Sequence, residues 1–117
     1  MKKIINEAFI PPKELIEAMG IKQGWMNRWP SELSGGELQR FCVIRALSPK
    51  TRFLIADEMT TMLDAITQAQ IWAVVLDYAK KNDIGVIVIS HEKALVDKIC
   101  DRVVNLEEFK EEQKEVV

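Results

Sequence analysis

The sequence has little cysteine, glycine or proline, and it has no long hydrophobic run. Two cysteines in 117 residues, Cys42 and Cys100, cannot form a disulfide scaffold, and no metal-site spacing is present. Five glycines and four prolines exclude collagen and low-complexity disorder. The N-terminal residues lack the apolar stretch of a signal peptide, and no segment is apolar enough for a membrane span. We therefore expect two reduced thiols that pack as small apolar residues, and membrane contact only through a partner.

Charge is balanced rather than of one sign. Sixteen basic and eighteen acidic residues give a formal net charge of -2, and the basic residues do not cluster. This balance argues against nucleic acid as a partner. A hydrophobic content of 48% in a chain of this length predicts one globular core.

The apolar spacing predicts alternating helices and strands. It first predicts a helix over 13–19 that ends at Gly20, a loop over 21–32 in which Trp25 and Trp29 pack against the next helix, and a helix from Ser34 to before Pro49. It then predicts a strand over 53–56, a helix over 66–81, a strand over 86–89 and a helix over 92–100. The last predicted elements are a weaker strand over 102–106 and a frayed charged tail over 110–117. The two short continuous apolar runs are typical of buried parallel strands. The fold class is therefore α/β, with parallel strands joined by crossover helices.

Polar residues follow both predicted strands. Asp57 and Glu58 end the first, and His91 follows the second. In open α/β sheets the ligand site lies beyond the carboxyl ends of the strands. By themselves, an acidic pair and a single histidine at such junctions are also common as structural residues.

The segment from Leu33 to Arg40 fits two interpretations, a helix cap and a phosphate-binding turn. Ser34 and Glu37 have the S-x-x-E spacing of a capping box, which requires no ligand. Gly35 and Gly36, however, leave the first backbone N–H groups of the helix unshielded by side chains. Those donors and the positive end of the helix dipole suit a phosphate group.

Four stretches resemble the motifs of ATP-binding cassette (ABC) transporter ATPases, in that family's order. Residues 33–40 resemble the signature motif, 53–58 the Walker B strand, 61–64 the D-loop and 89–91 the switch-histidine loop. The run over 56–71 is most similar to the oligopeptide, dipeptide and nickel importer ATPases. The resemblance implies a partial P-loop NTPase core over 49–109, preceded by the end of the helical subdomain over 1–48 and followed by the tail.

The resemblance also implies catalytic roles for three residues. Asp57 would hold Mg²⁺, through water, because Mg²⁺ keeps several waters and needs few carboxylates. Glu58 would orient or deprotonate the attacking water. His91 would donate a hydrogen bond to the γ-phosphate of ATP, where charge spreads in the transition state.

Further residues would face a second ATPase subunit. In the family, two cassettes enclose two ATP molecules head to tail. Ser34, Gly35, Gly36 and Glu37 would form the signature that contacts the nucleotide of the opposite subunit, and Asp64 would carry contacts across that dimer. Transmembrane permease subunits are the other implied partners, which would place the chain at the inner face of the cell membrane.

Two features depart from the family pattern. Met59 stands where the family usually has proline after the catalytic glutamate. More importantly, no glycine begins the phosphate-loop pattern G-x-x-x-x-G-K-[ST]. We therefore expect the chain alone to bind ATP weakly and not to hydrolyse it, since most of the phosphate contacts are missing. A phosphate-loop half would be a required partner.

Two alternatives stay open at this point. One is the carboxyl lobe of a DNA-repair or chromosome-maintenance ABC ATPase, although the chain has no coiled-coil heptads. The other is a non-catalytic interaction remnant. Independently of these, the second strand would have an unpaired apolar edge in the absence of a phosphate-loop strand. Either residues 102–106 fold across that edge, or a second copy of the chain pairs with it. We expect the second, which gives a homo-oligomer.

Overall fold

The computed structural model of the chain describes residues 11–108. In chain order its elements are helix α1 (Lys13–Ala18), two 3-10 helices (Gln23–Asn27 and Pro30–Glu32), helix α2 (Gly35–Ala46), strand β1 (Phe53–Asp57), helix α3 (Ala65–Lys81), strand β2 (Gly85–Ile89) and helix α4 (Lys93–Ile99). The two strands pair in parallel, and α3 lies between them in the chain. The expected α/β class is confirmed. Expectations for the N-terminal residues and for the tail over 110–117 lie outside the described residues.

Helix α1 ends in a Schellman motif at Gly20. Gly20 has a φ of +72°, which glycine adopts without the steric penalty of a β-carbon. Its N–H donates to the carbonyl of Glu17 at 3.0 Å, and the N–H of Ile21 donates to that of Ile16 at 3.2 Å. The glycine predicted just past the helix therefore terminates it, and it directs Ile21 into the core.

One hydrophobic cluster holds the described elements together. Its members are apolar side chains from α1, α2, α3, β1 and the loops between them: Leu15, Met19, Ile21, Trp25, Phe41, Val43, Ile44, Leu47, Leu54, Ala56, Ile71, Trp72, Val75, Ala79 and Ile84. Val86 and Val88 of β2 pack against this cluster and are partly buried. The cluster draws residues from both sides of the expected boundary at 48/49. Burial of these side chains is the main source of the fold's stability.

Residues 11–108 cover the sheet on one face only. Leu54 and Ala56 point into the core, but the alternate residues of both strands are exposed. Those exposed large side chains are Phe53 (72% exposed), Ile55 (66%), Ile87 (53%) and Ile89 (47%), and we call them the open face. The expectation that both runs are buried strands was therefore wrong for one face. A continuous apolar run predicts cover on both sides, but the described residues supply a helical layer on only one.

The weaker strand expected over 102–106 was also wrong. Residues 101–105 have no regular structure and residues 106–108 are helical. Val103 and Val104 are adjacent rather than alternating, and both are about half exposed, so they give no single face to bury against the sheet. The outer edge of β2 consequently has no strand partner within residues 11–108.

Two expectations about packing were only half right. Trp25 is buried in the core, whereas Trp29 is 53% exposed. Both cysteines are free, but Cys42 is exposed on α2, between two buried neighbours, and only Cys100 is partly buried. Burial, followed by the charges of Asp101 and Asp97, raises the pKa of the Cys100 thiol. None of the helices that the structure describes is long and apolar enough to cross a membrane.

Candidate active site

Glu58 and His91 meet at the carboxyl ends of the two paired strands. Asp57 and Ile89, the last residues of β1 and β2, lie in register, and the N–H of Glu58 donates to the carbonyl of Ile89 at 2.9 Å. Beyond this point Nδ1 of His91 lies 2.7 Å from Oε1 of Glu58. The sequence placed both side chains at the same end of the sheet, and the structure brings them into direct contact.

The carboxylate controls the protonation of the imidazole. The hydrogen bond to Glu58, followed by the negative charge of that residue, raises the pKa of His91 above its ordinary value of 6.5. When the ring is protonated, Nδ1–H donates to Glu58 and the second ring N–H is a further donor. Because the His91 side chain is 81% exposed, that donor is within reach of a ligand at the surface.

Glu58 has an unusual backbone and a partly buried side chain. Its φ of +50° is in the left-handed region, which is uncommon for a residue with a β-carbon and concentrates at functional sites. Oε2 is buried and has no hydrogen-bond partner among the described residues. Glu58 also lines a cavity of about 10 Å³, with Thr60, Trp72 and Ser90, which is close to the space that one water needs.

Asp57 points away from this pair. It is exposed on the same side of β1 as Ile55, at the carboxyl end of the open face. Residues 11–108 contain no group of three or more His, Cys, Asp or Glu side chains that could hold a metal ion. A single carboxylate at a strand end fits Mg²⁺ that takes its other ligands from waters and phosphates. It does not form a complete protein site for the ion.

The first turn of α2 contains the full capping box. The N–H of Glu37 donates to Oγ of Ser34 at 3.2 Å, and the N–H of Ser34 donates to Oε2 of Glu37 at 3.0 Å. Ser34 and Glu37 therefore satisfy each other's backbone groups. The N–H groups of Gly35 and Gly36 are the donors in this turn that the box does not use.

The D-loop packs directly on those glycines. A β-carbon at Gly35 would collide with the side chain of Met62, and one at Gly36 would lie 3.1 Å from Cδ2 of Leu63. Both contacts are with the ends of flexible side chains, so the packing is close here but does not by itself require glycine. Ser34, Gly36 and Glu37 share an open cleft of about 390 Å³ with Met62, Leu63 and Asp64, and Lys22 and Arg40 also line it.

Asp64 caps helix α3 rather than pointing freely into the cleft. Its Oδ1 accepts from the N–H of Thr67 at 2.7 Å. This backbone hydrogen bond, followed by one from the Thr67 side chain, lowers the pKa of Asp64 below its ordinary 3.8. The carboxylate is therefore held ionised and in a fixed orientation at the helix N-terminus.

Sequence reasoning missed three residues beside Glu58. Thr60 is 2% exposed, and its Oγ1 accepts from Nε1 of Trp72 at 3.1 Å. Nε2 of Gln68 donates to the carbonyl of Thr60 at 3.2 Å. The sequence predicts a helix over 66–81 but gives no polar role to Trp72 within it. The signal that could have found this set is a threonine two residues after the glutamate, followed by hydrogen-bond donors on one face of the next helix.

Comparison with known proteins supports the same interpretation of these motifs. The family model for the ABC transporter matches residues 9–61, which include the signature and Walker B stretches. Among curated proteins, the chain is similar to the oligopeptide transport ATP-binding protein OppF of Mycoplasma genitalium, with 37% identity over 91 residues that cover 78% of this chain and 11% of OppF.

Two further relatives are named for the import of other solutes. The methionine import ATP-binding protein MetN 2 of Listeria monocytogenes is 41% identical over 97 residues, which cover 83% of this chain and 28% of MetN 2. The nickel import ATP-binding protein NikE of Rhodospirillum rubrum is 33% identical over 96 residues, which cover 82% of this chain and 35% of NikE. The chain thus spans about a third or less of each of these relatives. It is part of an ABC transporter ATPase, and it corresponds to the segment from the signature motif to the switch histidine.

Proposed function

We propose that this chain supplies the hydrolytic side of an ATP-driven import ATPase and is completed by a phosphate-loop half. The observation that carries the proposal is the 2.7 Å contact between Glu58 and His91 at the carboxyl end of the parallel strands. In this proposal residues 1–48 are the end of the helical subdomain, and residues 49–109 are half of the nucleotide-binding core. The importer relatives are named for an oligopeptide, methionine and nickel, so the transported solute is a peptide, an amino acid or a metal ion.

The two carboxylates after β1 have different roles in this proposal. Glu58 accepts the proton of the attacking water, which a base positioned at hydrogen-bond distance can do. Asp57, on the open side of the sheet, holds Mg²⁺ through water. Bound with ATP, the ion would neutralise phosphate charge.

His91 acts beside Glu58 on the transferred group. Its ring is held by Glu58 through Nδ1, so the remaining ring N–H can donate to the γ-phosphate. A raised pKa keeps that donor in place as the pH approaches neutrality. The contact with Glu58 therefore orients the ring and maintains its proton.

The signature turn faces a second ATPase subunit. The side chains of Ser34 and Glu37 are engaged in the capping box. The N–H groups of Gly35 and Gly36 therefore donate to the γ-phosphate bound by the opposite subunit. Asp64 lies in the same cleft and carries contacts across that subunit boundary. The charges of Lys22 and Arg40 in this cleft balance those of Glu37 and Asp64, so it is the backbone N–H groups that suit a phosphate there.

The partner that completes the site covers the open face. Four large apolar side chains on two paired strands form a contiguous patch that ends at Asp57, and patches of this kind mark interaction sites. A phosphate-loop half seated there would bring its phosphate-binding groups next to Asp57. Assembly with permease subunits would then place the complex at the inner face of the membrane.

Without that half, a second copy of this chain pairs with the outer edge of β2, which borders the open face. The outer edge of β2 offers unpaired N–H and C=O groups next to Ile87 and Ile89. An apolar strand with a free edge is a template for strand addition from another chain. The isolated protein is accordingly a homo-oligomer that the phosphate-loop half dissociates.

An ATPase assay tests the proposal. The chain is mixed with a segment that carries G-x-x-x-x-G-K-[ST], and phosphate release is measured for each component and for the mixture. The proposal expects turnover in the mixture alone, and calorimetry should find only weak Mg-ATP binding to this chain. Turnover by the chain alone, or an inactive but assembled mixture, would contradict it; the latter would favour an interaction remnant.

A further inference from the structure

Thr60 is the one buried polar side chain in the core of the described residues. It lies two residues after Glu58 and is 2% exposed. The indole Nε1 of Trp72, itself 2% exposed, donates to its hydroxyl oxygen at 3.1 Å. Because a buried indole N–H without an acceptor costs free energy, this bond fixes Thr60 relative to α3.

A second contact holds the same residue from the same helix. Nε2 of Gln68 donates to the carbonyl of Thr60 at 3.2 Å, and the N–H of Leu63 donates to that carbonyl at 3.1 Å. Gln68 and Trp72 are four residues apart, so both project from one face of α3. The loop after Glu58 is therefore attached to α3 through both the side chain and the backbone of Thr60.

This attachment lies next to Glu58, whose backbone has an unfavourable left-handed conformation. Glu58 has a φ of +50°, and the carbonyl of Glu58 accepts from Oγ1 of Thr61 at 3.2 Å. Residues in such conformations persist only where the surrounding contacts hold them in place. The hydrogen bonds from α3 to Thr60 hold the loop after Glu58 in place, and the hydrogen bond from the N–H of Glu58 to the carbonyl of Ile89 holds Glu58 to β2.

We propose that Trp72 and Gln68 are positioning residues, which hold the turn at Thr60 so that the Glu58 carboxylate stays against His91. The inference rests on the proposed function, in which that carboxylate is the base. Neither residue touches the reacting atoms. A phenylalanine keeps an aromatic ring in place of Trp72 but lacks the indole N–H that this role requires, and its smaller ring also leaves space in the core.

Histidine titration in the full chain tests the proposal without nucleotide. The chain has a single histidine, so its imidazole resonances in NMR spectra are unambiguous. Glu58→Gln defines the His91 midpoint in the absence of the carboxylate. The test variants are Thr60→Val, which removes the acceptor at equal size, Trp72→Phe, which removes the donor, and Gln68→Ala.

Three matched controls separate positioning from general destabilisation. Thr60→Ser keeps the hydroxyl, Gln70→Ala changes an exposed glutamine on the same helix, and Val75→Ala weakens the core away from the loop. The proposal expects the test variants to move the His91 midpoint more than half of the way to the Glu58→Gln value, while the controls keep the wild-type midpoint.

Folded Trp72→Phe and Gln68→Ala proteins with the wild-type midpoint would overturn the proposal. Circular dichroism shows which variants fold, and if a Thr60 or Trp72 variant does not, the partly exposed Gln68→Ala decides the outcome alone. A midpoint that moves equally in Val75→Ala would also overturn it. Because the titration uses no ATP, its failure is distinguishable from a failure of the ATPase assay.

Discussion

Asp57 and Glu58 are consecutive residues whose side chains lie on opposite sides of the sheet. Asp57 is exposed at the end of the open face, whereas Glu58 turns with a φ of +50° and contacts His91. Consecutive side chains along a strand point to opposite faces, and the backbone of Glu58 turns left-handed directly after β1 ends. Asp57 is thereby available to a ligand on the open face, and Glu58 lies against His91, where it can act as the base.

Removal of the Glu58 charge should lower the pKa of His91 toward 6.5. The hydrogen bond and charge of Glu58 are the first two causes of the raised value, so Glu58→Gln should abolish most of the shift. Glu92→Gln should lower it much less, because Glu92 acts only through its charge and is the smallest contributor. An NMR titration of the single histidine measures both, and equal effects would contradict the geometry.

The same pair should make stability depend on pH. Because the folded-state pKa of His91 is raised, the pair's contribution is fully present below 6.5 and is lost as the pH rises through the folded-state pKa. Glu58→Gln should therefore lower the free energy of unfolding more at about pH 6 than in mildly alkaline buffer. Urea denaturation at both pH values provides the measurement, and a larger loss on the alkaline side would reverse the predicted sign.

The capping box should stabilise the fold independently of any nucleotide. Ser34→Ala removes the acceptor for the N–H of Glu37 and should cost about 1 kcal/mol of unfolding free energy. Ser31→Ala, at an exposed position of the preceding 3-10 helix, should change it by less than about 0.5 kcal/mol. Urea denaturation compares the two, and equal stability would show that the box contributes nothing.

Two phenylalanines distinguish the core from the open face. Phe41 is fully buried, so Phe41→Ala should cost about 3–5 kcal/mol, a large fraction of a small domain's stability. Phe53 is 72% exposed, and Phe53→Ala should change stability by less than about 0.5 kcal/mol. A large loss at Phe53 in the monomer would mean that the open face is covered by the chain itself.

The oligomeric state should depend on the open face. Light scattering after size exclusion should show the wild-type chain larger than its monomer mass of 13.4 kDa, and Ile87→Lys should reduce it to the monomer. Ile66→Lys, at a 75% exposed position on α3, is the matched control and should leave the assembly intact. A wild-type monomer at concentrations on the order of tens of micromolar would contradict self-association through this surface.

The local parts of the site could be predicted from the sequence. The Ser34 capping box depends on residues three apart, and the strand ends just before Glu58 and His91 follow from apolar runs that stop abruptly. Parallel pairing then places the strand ends together. For this reason the proximity of Glu58 and His91 could be predicted from the sequence.

Features that depend on neighbouring layers could not be predicted. The left-handed turn at Glu58 and the bond between Thr60 and Trp72 arise from the packing of α3 against the loop, which no local propensity encodes. The strand expected near Val103 failed for a related reason. Apolar residues form a strand only where another face covers them, and the described residues offer none there.

Turnover by the reconstituted assembly tests the central claim most directly. The chain and a phosphate-loop segment are combined with wild-type Glu58, with Glu58→Gln, or with Glu92→Gln as the control for a neighbouring carboxylate. Glu58→Gln should reduce ATP hydrolysis by about a hundredfold or more while ATP binding is unchanged, and Glu92→Gln should retain it. A loss of only a few-fold in Glu58→Gln, with binding intact, would show that Glu58 is not the base.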